Sequence, residues 1–569
     1  MLFFLVVAAA APLSLELAGG EAWRMPSKIQ HVADGGDVLW VASDSYVRGF
    51  DASGKVVADL RPCDDGLYPG GSIRLSADGG RLAVDCGEAV LISLPDGREL
   101  LRTDRNTGGQ AMVPLDDGGL VTFGPVLQDN DMVRLGHFVL RVHDPSGKRV
   151  VDRTVTGLYG LALAPGGLVG LYEGREPWTL KGLTPHGDQA RWTTQVPAAT
   201  NLVVHGDRVC TIHRDGARCF DSRTGASVGT LTTKEEPWPV SLTASGLVTK
   251  REGQWVLWPL DGEVQPLGDL GAVGLCGWGD GFVECGHGAA VVRYDRSGVA
   301  VSGPPWGRVA TLVASRDAER IALLDGEGQI FMGPITDVAP IGKGWTDLAG
   351  VGAAGQLVGE REGSKGSVLR TADGSLVPLV LEGAPVDVVH VSFADGVGTA
   401  YGYDGQRWAW MHVDGAGAVR SLAPRQLLSS VPLRRFARVG TSLLASDGDS
   451  AVLVDPATAA QTATLLGLEG ECRPYLREGA IVECEYVEEE GMRMVGGPVY
   501  DADVDPSPSG RHALLRPYRR LPSELRDAAG KVLLTLPDEL RPSTILWTDG
   551  GRHLVVAFHD GRIGRLELP

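Results

Sequence analysis

One turn recurs along the whole 569-residue chain, and it limits the fold more than any other feature. An apolar run ends in Asp or another turn former, one to three small residues follow, then Gly, then a second run. It reads FDASGK at Phe50–Lys55, LPDGR at Leu94–Arg98 and HDPSGK at His143–Lys148. It continues from Phe220, Pro259, Tyr294, Thr371, Val413, Val454 and Arg526, with weaker forms near Pro185, Asp337, Glu490 and Gly564. That makes fourteen turns spaced about 40 residues apart. Second hairpins lie between them, such as Leu75–Cys86 and Pro506–Leu515, and runs such as Leu554–Phe558 are apolar at nearly every position, as in strands covered on both faces. Two hairpins per repeat form the four-stranded blade of a β-propeller. The fold class is therefore all-β, as tandem β-propellers with two rings of seven blades.

Gly303-Pro304-Pro305 follows the seventh turn directly, and a proline pair cannot continue a central strand. The rings are placed at residues 23–303 and 306–569. Only three strands fit before Pro569 in the last blade, and the segment Ala22–Ile29 is the candidate for the fourth. Residues 1–22 read as a signal peptide: the apolar run Met1–Leu17 is broken by Pro12 and Glu16, with cleavage expected after Gly20 or Ala22. No later segment is long and apolar enough to span a membrane, so the reading has no membrane span in the mature chain and places it in the periplasm or outside the cell.

Eight cysteines fit export, because they fall into four local pairs: Cys63 with Cys86, Cys210 with Cys219, Cys276 with Cys285, and Cys472 with Cys484. An Asp280-Gly281 turn sets Cys276 opposite Cys285, and a three-residue turn at Arg477–Gly479 sets Cys472 opposite Cys484. No two cysteines stand two to four residues apart, as zinc sites require. The formal charge of -18 and a pI near 5.2 count against nucleic acid, since an acidic surface repels phosphate.

The Asp221–Gly225 turn resembles the repeat of quinoprotein-like (PQQ-like) propellers. Ser76–Arg81 and Pro506–Arg511 are similar to repeats of TolB-type periplasmic propellers, within the wider WD40-like superfamily. The chain has no Trp-Asp dipeptide and no adjacent cysteine pair, so the resemblance implies the fold without a quinone cofactor.

Several motifs carry possible chemistry. Gly225–Gly229 matches G-x-S-x-G, but that motif works on a strand-to-helix elbow and no helix follows it here. Gly350–Gly355 matches G-x-G-x-x-G and reads as a hairpin turn for the same reason. Asp501, Asp503 and Asp505 alternate along a strand, so their carboxylates share a face and form a candidate calcium site. Glu488–Glu490 reads as a charged hairpin tip. The stretch Gly124–Gly136 is longer than a hairpin needs and is the candidate recognition loop. No catalytic or cofactor-binding residues are assigned. The functional expectation is an exported non-enzymatic scaffold for a protein or cell-envelope partner. The alternative is a propeller hydrolase or lyase whose active site assembles in a central channel from several blades.

Overall fold

The computed structural model describes residues 13–568, apart from 64–72, 104–110, 128–132, 268–273, 286–290, 296–299, 423–432, 469–472, 496–499 and gaps of up to three residues. Among the described residues there are strands, turns and one short 3-10 segment at Asp549–Gly551. Thirteen four-stranded antiparallel sheets follow one another, and two two-stranded ribbons at Tyr475–Val482 and Glu485–Arg493 stand in the place of a fourteenth. The chain forms tandem β-propellers with seven blades in each of two compact units. One unit is Glu21–Pro305. The other is Met1–Gly20 together with Trp306–Pro569.

The recurring turn joins the third and fourth strands of its blade, and its aspartate explains why it recurs. Asp51 Oδ1 accepts the backbone N–H groups of Ser53 (2.8 Å) and Lys55 (3.1 Å). Asp144 does the same for Ser146 and Lys148, and Asp527 for Ala529 and Lys531. The following glycine takes the left-handed conformation that closes the turn, with φ of 83° at Gly54 and 84° at Gly147. These turns use the aspartate to satisfy donors that the ladder leaves over.

Apolar side chains from facing sheets fill the space between neighbouring blades. Trp40, Val47 and Ile73 pack with Leu82 and Val90 between blades 1 and 2. The first unit closes where blade 1 meets blade 7: Met25, Ile29 and Leu39 pack on Trp278 and Val283, and Trp278 Nε1 donates to the Gly36 carbonyl at 3.0 Å. In the second unit Trp306, Val309 and Ile321 of the blade 8 side pack on Val555 and Ile563 of blade 14, and Trp306 Nε1 donates to the Gly561 carbonyl at 2.7 Å.

The closing strand differs from the one predicted. Glu16–Ala18, and not the segment Ala22–Ile29, is the fourth strand of the last blade, pairing antiparallel with Ile563–Glu567. The reason is burial: Met25 and Ile29 are held in the core of the first unit, and the Arg24 carbonyl accepts Arg48 Nη1. The turn predicted near Gly564 is absent for the same reason. Gly564 lies inside a strand whose outer neighbour comes from the other end of the chain.

The structure contains the disulfides Cys63–Cys86 and Cys210–Cys219. Cys210 lies directly opposite Cys219 on adjacent strands with Cα atoms 4.0 Å apart, the close spacing of a non-hydrogen-bonded pair. The bridges close loops of 23 and 9 residues, worth roughly 3.4 and 2.6 kcal/mol by chain entropy. Two predicted registers are corrected. Trp278 pairs with Gly281, which sets Cys276 opposite Val283 and Cys285 opposite Gly274. Gly281 belongs to the strand rather than the turn, because a Cβ there would stand 2.2 Å from the Tyr294 carbonyl of the next strand. The side chains of Cys276 and Cys285 lie outside the described set. Arg477 pairs with Ala480, one residue tighter than predicted, with Glu478 at a left-handed φ of 51°. Cys484 is disulfide-bonded, and Cys472 lies outside the described residues.

The candidate recognition loop is mostly strand. Leu120–Leu127 and Val133–His143 continue blade 3 into a long hairpin, paired as far out as Leu127 with Val133. The register shifts between Pro125 and Leu127, where a proline without an N–H interrupts the ladder.

Candidate functional site

The first strands of six blades of the second unit, with the residues that lead into blade 12, surround a cavity of about 290 Å³. Its wall takes Thr311–Arg316 from blade 8, Leu348–Val351 from blade 9, Val389–Phe393 from blade 10 and Arg435–Arg438 from blade 11. Arg473 and Pro474 lead into blade 12, Pro506 comes from blade 13 and Leu546–Asp549 from blade 14. A cavity bounded by residues from every blade is the central channel of that ring.

Among the described residues, four arginines line this channel, Arg316, Arg435, Arg438 and Arg473, against one carboxylate, Asp549. The chain as a whole carries -18, so the cationic lining is a local concentration and not a reflection of composition. Arg316 Nε stands 3.5 Å from Asp549 Oδ1, and Arg552 reaches the other oxygen at 3.6 Å. Arg438 Nη1 donates to Ser392 Oγ at 3.3 Å. Burial first, and the neighbouring Arg316 charge second, lower the pKa of Arg438, while Asp549 acts in the opposite sense. Arg316, Arg438 and Asp549 end or follow the first strand of their blades and gather near the hairpin end of the channel, whereas Arg435 begins its strand at the other end.

Arg473 is held differently. Its Nε is 3.5 Å from Asp505 Oδ2 and its Nη1 donates to the Ile545 carbonyl, while Asp505 Oδ1 accepts Trp547 Nε1 at 2.9 Å. The network ties blades 12, 13 and 14 together at the channel wall. It also shows where two of the proposed calcium ligands sit. Asp505 is buried with an indole and a guanidinium as partners, and Asp503 is exposed with Arg516 at 3.7 Å. Asp501 and Glu488–Glu490 lie outside the described residues. Among the described residues, no three His, Cys, Asp or Glu side chains converge as a metal site.

His390 lies midway along its strand and lines the same channel. Its ring stacks on Phe436 with centroids 4.4 Å apart and planes 4° from parallel. Burial pushes its pKa down to about 4, so the imidazole is neutral at pH 7, and Nε2 is out of solvent with no hydrogen-bond partner among the described residues. The opposite end of the strands, where Arg435 begins its strand, also carries carboxylates. Asp347 pairs across with Glu360 near the start of blade 9, and Thr311 Oγ1 donates to Asp347 Oδ1 at 3.0 Å. Burial, followed by the charges of Asp387 and Asp347, raises the pKa of Glu360.

The motifs singled out in the sequence do not meet in this channel. Gly225 and Gly229 flank the outer hairpin of blade 5, and Gly350–Gly355 runs from the first strand of blade 9 into a turn where Gly352 N–H donates to the Gln356 carbonyl. Arg316, Arg438, Arg473 and His390 carried no motif. The signal available to find them was a cationic residue at the end of a blade's apolar first strand, as in VATLVASR and RRFARV.

No family model matches the chain, and no curated protein matches it. Among solved structures, it is similar to PorZ, an essential bacterial surface component of the type-IX secretion system of Porphyromonas gingivalis. That similarity has a TM-score of 0.43 at 10% identity and covers 97% of this chain and 86% of that chain. Among the described residues no helix is long and apolar enough to cross a membrane.

Proposed function

We propose that this protein is an exported, non-enzymatic propeller scaffold that holds an anionic group of a cell-envelope partner at the channel of its second ring. The observation that carries the reading is the channel lining, four arginines against one carboxylate in a cavity of about 290 Å³. Guanidinium groups bind carboxylate and phosphate through paired N–H donors, and a narrow low-dielectric channel strengthens the attraction. The disulfides Cys63–Cys86 and Cys210–Cys219 support export, since such bridges persist in oxidising compartments.

The test is capture from an envelope extract on the immobilised protein, comparing wild type with the double variant Arg316→Gln, Arg438→Gln. Capture should fall at least about ten-fold in the variant, the loss of roughly 1.4 kcal/mol of binding, and added inorganic phosphate should compete with wild-type capture. Equal capture by the two proteins rejects the channel as the binding site. In that case the propeller-enzyme alternative gains weight, with the neutral imidazole of His390 as the first group to replace.

A further inference from the structure

The residues just before Gly19 belong to the folded protein. Glu16, Leu17 and Ala18 pair with Arg565, Gly564 and Ile563 as the outermost strand of the last blade. Ala18 is buried with Trp306, Val555 and Ala557. Leu13 and Leu15 pack against the core formed by Trp547, Leu554, Phe558 and Leu566. Gly564 makes room for this strand, because a Cβ there would stand 2.8 Å from Leu15 Cδ1. Glu16 Oε2 lies 3.9 Å from Arg565 Nη1. Gly19 and Gly20, with φ of 104° and 63°, then turn the chain out of the strand.

Cleavage after Gly20 or Ala22 would remove all of these contacts. Blade 14 would be left with three strands, and Ile563–Glu567 would present an open edge of unpaired N–H and C=O groups.

We propose that the mature chain keeps every residue from Leu13 onward, so that any leader is cut before Leu13 and the strand Glu16–Ala18 stays to complete the second ring. The inference rests on the export reading. The step is hydrolysis of one peptide bond by an envelope leader peptidase: water adds across the bond, leaving a carboxylate on the leader and an amine on the mature chain.

The experiment is intact-mass analysis of the protein recovered from the extracytoplasmic fraction after expression of the full chain in a bacterial host. The expected amino terminus lies at or before Leu13. A terminus at Glu21 or Trp23 overturns the inference and leaves the export reading standing, whereas an uncut cytosolic chain overturns both. A second measurement isolates the strand itself. Calorimetry compares chains starting at Pro12 and at Glu21. The shorter chain should lose about 5 °C or more from the transition of the second ring, and a synthetic Pro12–Gly20 peptide should restore part of it. Identical melting of the two chains overturns the role given to the strand.

Discussion

His390 shows how far a single side chain departs from what its residue type implies. A histidine ordinarily titrates near pH 6.5, but burial against Phe436 holds this one neutral down to about pH 4. Between those values the unfolded chain takes up a proton that the folded chain refuses. Stability therefore falls as pH drops from about 6.5 towards 4, and above that window this group contributes no pH dependence. His390→Phe should flatten part of the acid limb in a plot of melting temperature against pH. Burial also lowers the pKa of His512 in the same unit, so some acid sensitivity should persist. A variant as acid-sensitive as wild type would show that the imidazole is not desolvated. None of this was legible in the sequence, where His390 is one of twelve scattered histidines. The same holds for Arg316, Arg438 and Arg473. The channel arginines and His390 come from four different blades, so the cluster exists only after the ring closes.

At the level of strands and turns the sequence was far more informative, because the signal is local. The aspartate turn marks the third-to-fourth strand connection in blade after blade. Asp527 shows why, with two backbone N–H groups at 3.0 and 2.9 Å on one carboxylate oxygen. Asp527→Ala should cost about 1–2 kcal/mol by urea unfolding, as expected when two backbone donors lose a charged acceptor. Asp527→Asn, which keeps an acceptor oxygen, should recover most of that loss. If both variants cost the same, the turn is held by its backbone alone. Registers were less legible than turns. Asp-Gly at Asp280-Gly281 is a strong turn signal, but the approach of the Tyr294 carbonyl needs Gly281 in the strand, and this neighbour is invisible to a two-residue motif. Glu478 accepts a left-handed φ and shortens its turn by one residue. A slip of one or two residues moves every cross-strand pair, and the cysteine partners with it.

Across the whole chain, the count of blades followed from the repeat, while the closure of each ring did not. Closure depends on residues hundreds of positions apart, and a three-residue strand beside an apolar leader leaves little trace in the sequence. In each ring one indole bridges that gap. Trp278 donates to Gly36 in the first unit, and Trp306 to Gly561 in the second. Both indoles are nearly buried, so replacing either one leaves a small void and removes a hydrogen bond, to the exposed Gly36 in one ring and to the buried Gly561 in the other. Each ring has its own core and its own closure, so the damage should stay in the ring where it is made. Trp278→Phe should lower the melting of residues 21–305 by about 3–10 °C, as a loss of about 1–3 kcal/mol implies for domains of this size. Trp306→Phe should do the same to 306–569. Hydrogen exchange resolved by peptide during a thermal ramp separates the two, since protection should fall early in one set of peptides and stay unchanged in the other. If either variant loosens both sets equally, the rings unfold as one cooperative unit and each closure supports more than its own blades.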